Sequence, residues 1–220
     1  MAWDKEDFRE QYSKLARIYD PGMWLYRALG IDMEAYRKIA AGALMLKPGD
    51  TVVDLGCGTG LNFPYLQAAV GDTGKIIGVD LTPAMLEQAE QRSKKAGWAN
   101  VELIEADMSS YQFPAGANGL ISTLALATVA DYDDIVARAA RQLPQGAAFA
   151  EFDLQWPQRW PTWLAKFATL LNRPAGVTFD VIDRRPADSI QRYFSAVEAR
   201  EVYFGAGVIC SGIVPDREGK

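Results

Sequence analysis

TVVDLGCGTG, residues 51–60, decides how the rest of this chain is read. A short apolar run that ends in an acid and passes into three alternating glycines reads as a strand, a tight turn and the start of a helix. Gly56, Gly58 and Gly60 let the backbone turn sharply and come close to a ligand that a Cβ would hold off. The helix beginning near Gly60 directs free N–H groups and a partial positive charge at the same place, so the facing part of the ligand is expected to be anionic. A dinucleotide fingerprint, G-x-G-x-x-G, would need its third glycine at Leu61, but the glycine lies one place earlier, and Asp54 stands two residues ahead of the loop. The next apolar run, KIIGVD at 75–80, ends in Asp80, an acid placed to accept from a ribose diol. Asp80 alone does not separate a dinucleotide from another adenosine ligand. Beyond a third run, Val101 to Ile104, Asp107 is suited to accept from an adenine amino group. Acids at or after the ends of three successive strands suit a cationic adenosine ligand better than a pyrophosphate.

The segments VVDLGCGTG, GVDLTPAML and EADMSSYQFP resemble those of the class I S-adenosylmethionine-dependent methyltransferases, and together they span about half of the chain. The glycine loop alone would not be specific; the combination is. The resemblance implies that the loop, with Asp54, holds the methionine end of S-adenosyl-L-methionine and that Asp80 takes the ribose hydroxyls. It further implies that Leu81 and Met85 flank the adenine, while Asp107 with Met108 reads its edge. The competing reading is a plain Rossmann turn whose acids only cap strand ends.

At 220 residues the chain is expected to form one domain with a full hydrophobic core, residues 1–220. A net charge of −5 argues against a nucleic-acid partner, which usually demands a basic face. With only Cys57 and Cys210, a disulfide framework is not expected and a reducing cytoplasm is the default. No apolar run approaches the roughly eighteen residues of a membrane span, and MAWDKEDFRE at the start is too charged for a signal peptide. There is no histidine, which removes the usual general base and the commonest metal ligand; the carboxylates have no metal-ligand spacing, so no metal is expected.

Strands alternate with helices from the first glycine loop onward: 51–55, 75–80, 101–104, 119–124 and 147–154 as strands, with helices at 61–70, 84–96 and 133–143. This pattern predicts an α/β, Rossmann-like, doubly wound and mostly parallel sheet of seven strands, completed by an antiparallel hairpin of 196–204 and 208–214. The hairpin is also what the resemblance implies. Ligands of such sheets lie beyond the carboxyl ends of the strands, where Asp54, Asp80, Asp107, Thr123, Leu124 and Asp153 fall. Residues 1–47 read as an N-terminal helical cap in three pieces, 4–19, 21–29 and 32–46, punctuated by Pro21, Gly22 and Gly30. The segment YSKLARIYD resembles the helix that closes over the cofactor in small-molecule methyltransferases, which makes Tyr12 and Tyr19 candidates to line the site near the transferring methyl. Tyrosines anchored to the backbone are the alternative. Asn62, in the opening turn of the helix after the loop, either caps that helix or helps hold the methionine carboxylate.

Residues 155–185 are read as a cap insertion over the strand ends. From Trp160, the apolar positions 160, 163, 164, 167, 170 and 171 follow helical spacing, with Arg159, Lys166 and Arg173 between them. Packing of the apolar stripe on the domain is expected for the helix as a whole; an interfacial, lipid-facing lid is the sharper alternative. Leu124, Trp163 and Tyr193 are the candidate acceptor contacts. Related methyltransferases often carry a histidine pair after strand four, where this chain has Ala127 and Thr128. The reaction expected is transfer of a methyl group to a small, hydrophobic or lipid-like acceptor, an amine nitrogen being favoured because it sheds its proton before transfer. The alternatives are C- or O-methylation of a quinone-like ring, as in the similar ubiquinone and menaquinone methyltransferases, and cofactor binding without transfer. Peripheral membrane contact is compatible with this composition; the sequence leaves the oligomeric state open.

Overall fold

Short β-branched runs separated by helical periodicity have one economical packing, parallel strands between two layers of helices. The computed structural model, which describes residues 5–28, 30–173 and 176–216, adopts it. The strands are β1 (Thr51–Leu55), β2 (Lys75–Asp80), β3 (Val101–Glu105), β4 (Gly119–Thr123), β5 (Ala148–Leu154), β6 (Ser195–Val202) and β7 (Gly207–Ile213). They form a single sheet in the order β3-β2-β1-β4-β5-β7-β6. β1 to β5 run parallel, β7 returns antiparallel to β5, and β6 pairs antiparallel with β7 at the edge. Because β1 has β2 on one side and β4 on the other, the loops leaving β1 and β4 diverge, and a crevice opens between them.

Side chains alternate across the sheet and meet a helical layer on each face. On one face Val52, Ile76, Ile121 and Phe152 pack with Ala40 of α3 (Met33–Ala43) and Leu44 at its end, with Phe63 and Leu66 of α4 (Phe63–Val70) and with Ala89 of α5 (Pro83–Ala96). On the other, Val53, Leu55, Leu120 and Phe149 pack with Ile135 and Ala139 of α6 (Tyr132–Gln142) and with Ile190 of a late helix, Pro186–Tyr193. Each fully buried Phe, Leu or Ile in these layers contributes about 1.5–3 kcal/mol. α5 starts on Pro83 and stops at Gly97, whose φ of 75° is left-handed. Thr82 occupies the N-cap position without a side-chain cap bond; its N–H is held instead by Asp80.

The N-terminal helices are α1 (Lys5–Leu15), α2 (Tyr19–Ala28) and α3. Pro21 does not break the chain as expected: it lies in the first turn of α2, where the N–H it lacks would have no intrahelical partner. Asp4 and Leu29, the expected ends of the first two pieces, lie outside the described residues. β4 ends at Thr123, one residue early, because Leu124 takes a left-handed φ of 58°.

After β5, α7 (Thr162–Asn172) and α8 (Phe179–Asp183) lead to α9, the helix Pro186–Tyr193. α7 corrects the packing expectation. Its large apolar side chains Trp163, Phe167, Leu170 and Leu171 point to solvent, and its buried residues are Ala165 and Thr169. The small residues face the body because the underside already holds Trp160 and Tyr203, whose rings meet edge to face at 5.8 Å, and Tyr26, which donates to Asn172 Oδ1.

Candidate functional site

The crevice above β1, β2 and β4 deepens into a cavity of about 280 Å³, roofed by Phe8, Tyr12 and Tyr19. Its floor is the glycine loop, and the three glycines serve different needs. All have positive φ, between 54° and 77°. A Cβ at Gly56 would lie 2.4 Å from Ala125 Cβ and 3.0 Å from Met108 Cε, and one at Gly60 would strike the Phe63 ring at 2.6 Å. Those two glycines answer to the protein's own packing. Only at Gly58 would a Cβ meet nothing within 4 Å, so this is the glycine whose bareness leaves room for a ligand.

Asp80 closes the loop: one carboxylate oxygen accepts from Gly58 N at 2.8 Å, the other from Thr82 N at 2.9 Å. Burial raises its pKa, and those N–H groups act against the rise. Since each oxygen keeps a lone pair, a ribose diol fits there. Leu81, Met85 and Met108 line the cavity beside it. Asp107 stands at the mouth, accepting from Ser109 N at 2.8 Å and paired with Lys5 Nζ at 2.5 Å. Burial pushes its carboxyl up, but Lys5 and Ser109 outweigh this and hold it below the usual range.

Behind the loop lies a buried polar knot. Asp54 follows Val52 on the same face of β1, so its side chain points under the loop toward α3 and α4. There Asn62 Nδ2 donates to Asp54 Oδ1 at 2.9 Å and to Thr123 Oγ1 at 3.0 Å, while Arg37 Nη1 donates to Asn62 Oδ1 at 3.2 Å and to Thr123 Oγ1. Asp54 Oδ2 has no partner among the described residues, and burial, only partly offset by Asn62 and Arg37, pushes this carboxyl up to about 7. Asp54, Gly60 and Asn62 therefore do not line the cavity, contrary to expectation; Thr123 and Arg37 do. Asn62 makes no side-chain cap bond to α4.

Arg37 is the buried charged residue of the cavity wall that sequence reading missed, along with Lys5 and Phe8 of α1 and Ala125 and Val129 after β4. Met33, Arg37, Ala40, Ala41 and Leu44 all lie on one stripe and are buried, so a cation in the middle of an apolar face was the available signal.

Tyr12 and Tyr19 both face the cavity, their ring centroids 6.1 Å apart. Burial drives both hydroxyls above the usual phenol range, for Tyr12 well above it. They are donors at neutral pH. The opposite wall carries Leu124, Ala125, Val129 and Ala130. That loop is pinned from behind: Ala127 N donates to buried Asp153 at 2.9 Å, and Arg184 donates to the carbonyls of Ala127 and Thr128 at 2.7 and 2.8 Å. The other two candidate acceptor contacts are displaced. Trp163 sits on the outer face of α7, and Tyr193 donates to Asp133 at 2.9 Å in the contact between α6 and α9; neither lines the cavity. The roof is tied to the floor through Asp20, which accepts from Thr59 Oγ1 at 2.6 Å and from Arg92.

Comparison with known proteins agrees with this geometry. Residues 52–146 match the family model described as a methyltransferase domain. A 2-phytyl-1,4-naphtoquinone methyltransferase from Nostoc sp. is 30% identical over 156 residues, covering 68% of this chain and 65% of the relative. The chain spans about a third to two thirds of the length of the curated relatives it matches. Among solved structures, a chain of the Haloferax volcanii complex between the Trm112 methyltransferase activator and a methyltransferase superposes with a TM-score of 0.72 at 17% identity, over 96% of this chain and 99% of that one. A geranyl diphosphate C-methyltransferase from Streptomyces coelicolor gives 0.66 at 17%, over 81% and 78%. At these identities the likeness of the solved structures is one of fold.

Proposed function

We propose that this chain, whose residues 52–146 match a methyltransferase domain, is a class I S-adenosylmethionine-dependent methyltransferase that transfers a methyl group to a small, largely apolar acceptor, with an amine nitrogen as the receiving atom. S-adenosylmethionine, when bound, supplies a sulfonium methyl already activated for displacement. The residues present suit it: bare backbone at Gly58, Asp80 for the ribose, Leu81, Met85 and Met108 for the adenine, Asp107 for the adenine edge. Arg37, a buried cation on the cavity wall, suits a carboxylate.

What remains for the protein is to hold the acceptor in line and keep water out. Phe8, Leu124, Ala125 and Val129 offer it an apolar wall, and the ties at Asp20 and Lys5 hold the roof down. The observation that carries the amine reading is the pair of tyrosines. Their hydroxyls stay protonated, and no histidine stands anywhere in the chain, so the site offers donors rather than a strong base. An acceptor that deprotonates in water before it binds needs no more.

A second reading, C- or O-methylation of a quinone-like ring, is favoured by the naphtoquinone methyltransferase relative. Release of S-adenosylhomocysteine across lipophilic amines and reduced quinones decides between them. Turnover of amines is expected; turnover confined to the ring compounds moves the assignment to the second reading. Cofactor affinity without product on any acceptor would leave a binding protein and end the transferase proposal.

A further inference from the structure

We propose that the outer face of α7 docks the protein onto anionic membrane surfaces, the helix lying flat in the lipid–water interface. The inference stands independently of the acceptor's identity. Helices on a globular body bury their large apolar side chains, and α7 does the opposite: Trp163, Phe167, Leu170 and Leu171 are 70, 59, 60 and 67% exposed on one face. Phe204, 82% exposed, lies near its start, where Trp160 Nε1 donates to the Phe204 carbonyl at 3.0 Å. A contiguous apolar surface of this kind marks an interaction site.

Charge selects the occupant. The chain as a whole is at −5, yet between Asp153 and Asp180 it has Arg159, Lys166 and Arg173 and no acid at all. All three basic residues are exposed, and none forms an ion pair among the described residues. Lys166 sits one turn from Leu170, at the rim of the apolar face, where its stem can lie along lipid while its ammonium meets headgroups. Aromatic and aliphatic residues on one side with basic residues at the edge are the signature of an interfacial helix. At eleven residues it is about 16 Å long, so it lies on a bilayer rather than crossing one.

The placement also couples docking to the site. The underside of α7 is bonded through Asn172 to Tyr26 of α2, the helix that brings Tyr19 to the cavity. A Cβ on Gly176, just past α7, would lie 3.1 Å from the Tyr12 hydroxyl. A lipophilic acceptor leaving the bilayer beside α7 would meet the cavity roof first.

The test is flotation of the full chain with vesicles of phosphatidylcholine alone and of phosphatidylcholine with phosphatidylglycerol. Binding to the anionic vesicles is expected, weakening in high salt. Lys166→Glu is expected to weaken it about fivefold or more, since each basic residue near such a surface is worth about that factor. The double variant Trp163→Ser, Phe167→Ser should abolish flotation while S-adenosylhomocysteine affinity, read by calorimetry, is retained. Three results overturn the proposal: no flotation with either vesicle, equal binding to neutral and anionic vesicles, or a dimer that the double variant turns into a monomer while vesicles bind neither.

Discussion

Replacing Arg37 with methionine should separate two ligands that differ only at the amino-acid end. S-adenosylhomocysteine carries a carboxylate; 5′-methylthioadenosine shares the adenosine and the thioether sulfur but lacks it. In the structure both Nη1 bonds of Arg37 go to neutral partners, Asn62 and Thr123, so the guanidinium reaches the cavity wall without a carboxylate hydrogen-bond partner among the described residues. A hydrogen bond to a charged group is worth about 1.5–3 kcal/mol, or about 10- to 150-fold in Kd. Calorimetry should therefore show Arg37→Met losing that much for S-adenosylhomocysteine and less than about twofold for methylthioadenosine. Asp80→Ala is the contrast, because the ribose it serves is common to both ligands, and it should weaken the two alike. Arg37→Met takes a donor from buried Asn62 and Thr123, a loss of about 1–3 kcal/mol, so a thermal melt accompanies the calorimetry, and the equal response of the folded variant to methylthioadenosine is the control for the site's integrity. Equal losses for both ligands with Arg37→Met, or none for either, would refute the assignment of Arg37 to the carboxylate.

Two further predictions concern stability. Glu151, in the middle of β5, is fully buried with neither oxygen hydrogen-bonded among the described residues, and burial, then the charges of Asp153 and Asp188, raise its pKa well above 4.5. The folded state thus keeps a proton that the unfolded chain releases, so this group's contribution is complete below pH 4.5 and declines by about 1.4 kcal/mol per unit as pH rises toward the folded value. Urea melts of Glu151→Met and the parent chain should diverge in the variant's favour from pH 5 toward pH 8; parallel curves would contradict this. Gly56→Ala places a methyl 2.4 Å from Ala125 Cβ at a φ of 73°, whereas Gly58→Ala meets only the backbone cost of about 1–2 kcal/mol. The first should lower Tm more than the second, and the reverse order in thermal melts would show that the loop is not wedged against Ala125.

The sheet was legible because its signals are local. VVDL, KIIGVD and the runs after them are too short for helices, and the glycines and acids that end them are punctuation any reader can see. Gly58, Asp80 and Asp107 line the cavity at or just past the strand ends that those runs predict, and Leu81, Met85 and Met108, which the family resemblance singled out, line it beside them. What was not legible depends on rotation about an axis. Helical spacing identified the stripe containing Trp163 and Phe167 but not which way it faces, and only the tertiary contacts of Trp160, Tyr203 and Tyr26 turn it outward. Asp54 and Asn62 were placed at the right end of the right elements and on the wrong side of the loop, since strand alternation carries Asp54 under it. Arg37 lies in a helix that reads as ordinary packing, and its partners Asn62 and Thr123 are 25 and 86 residues away.

β6 shows how the sheet ends. Its residues are mostly exposed, it carries Glu198, Arg200 and Glu201, and its pairing with β7 slips between Ser195 and Glu198. A border strand built this way offers an incoming chain charged side chains and a broken run of amide partners, which discourages growth by strand addition. The seven-stranded platform is thereby kept finite on that flank, where the charges of the border strand stand against fibrillar stacking.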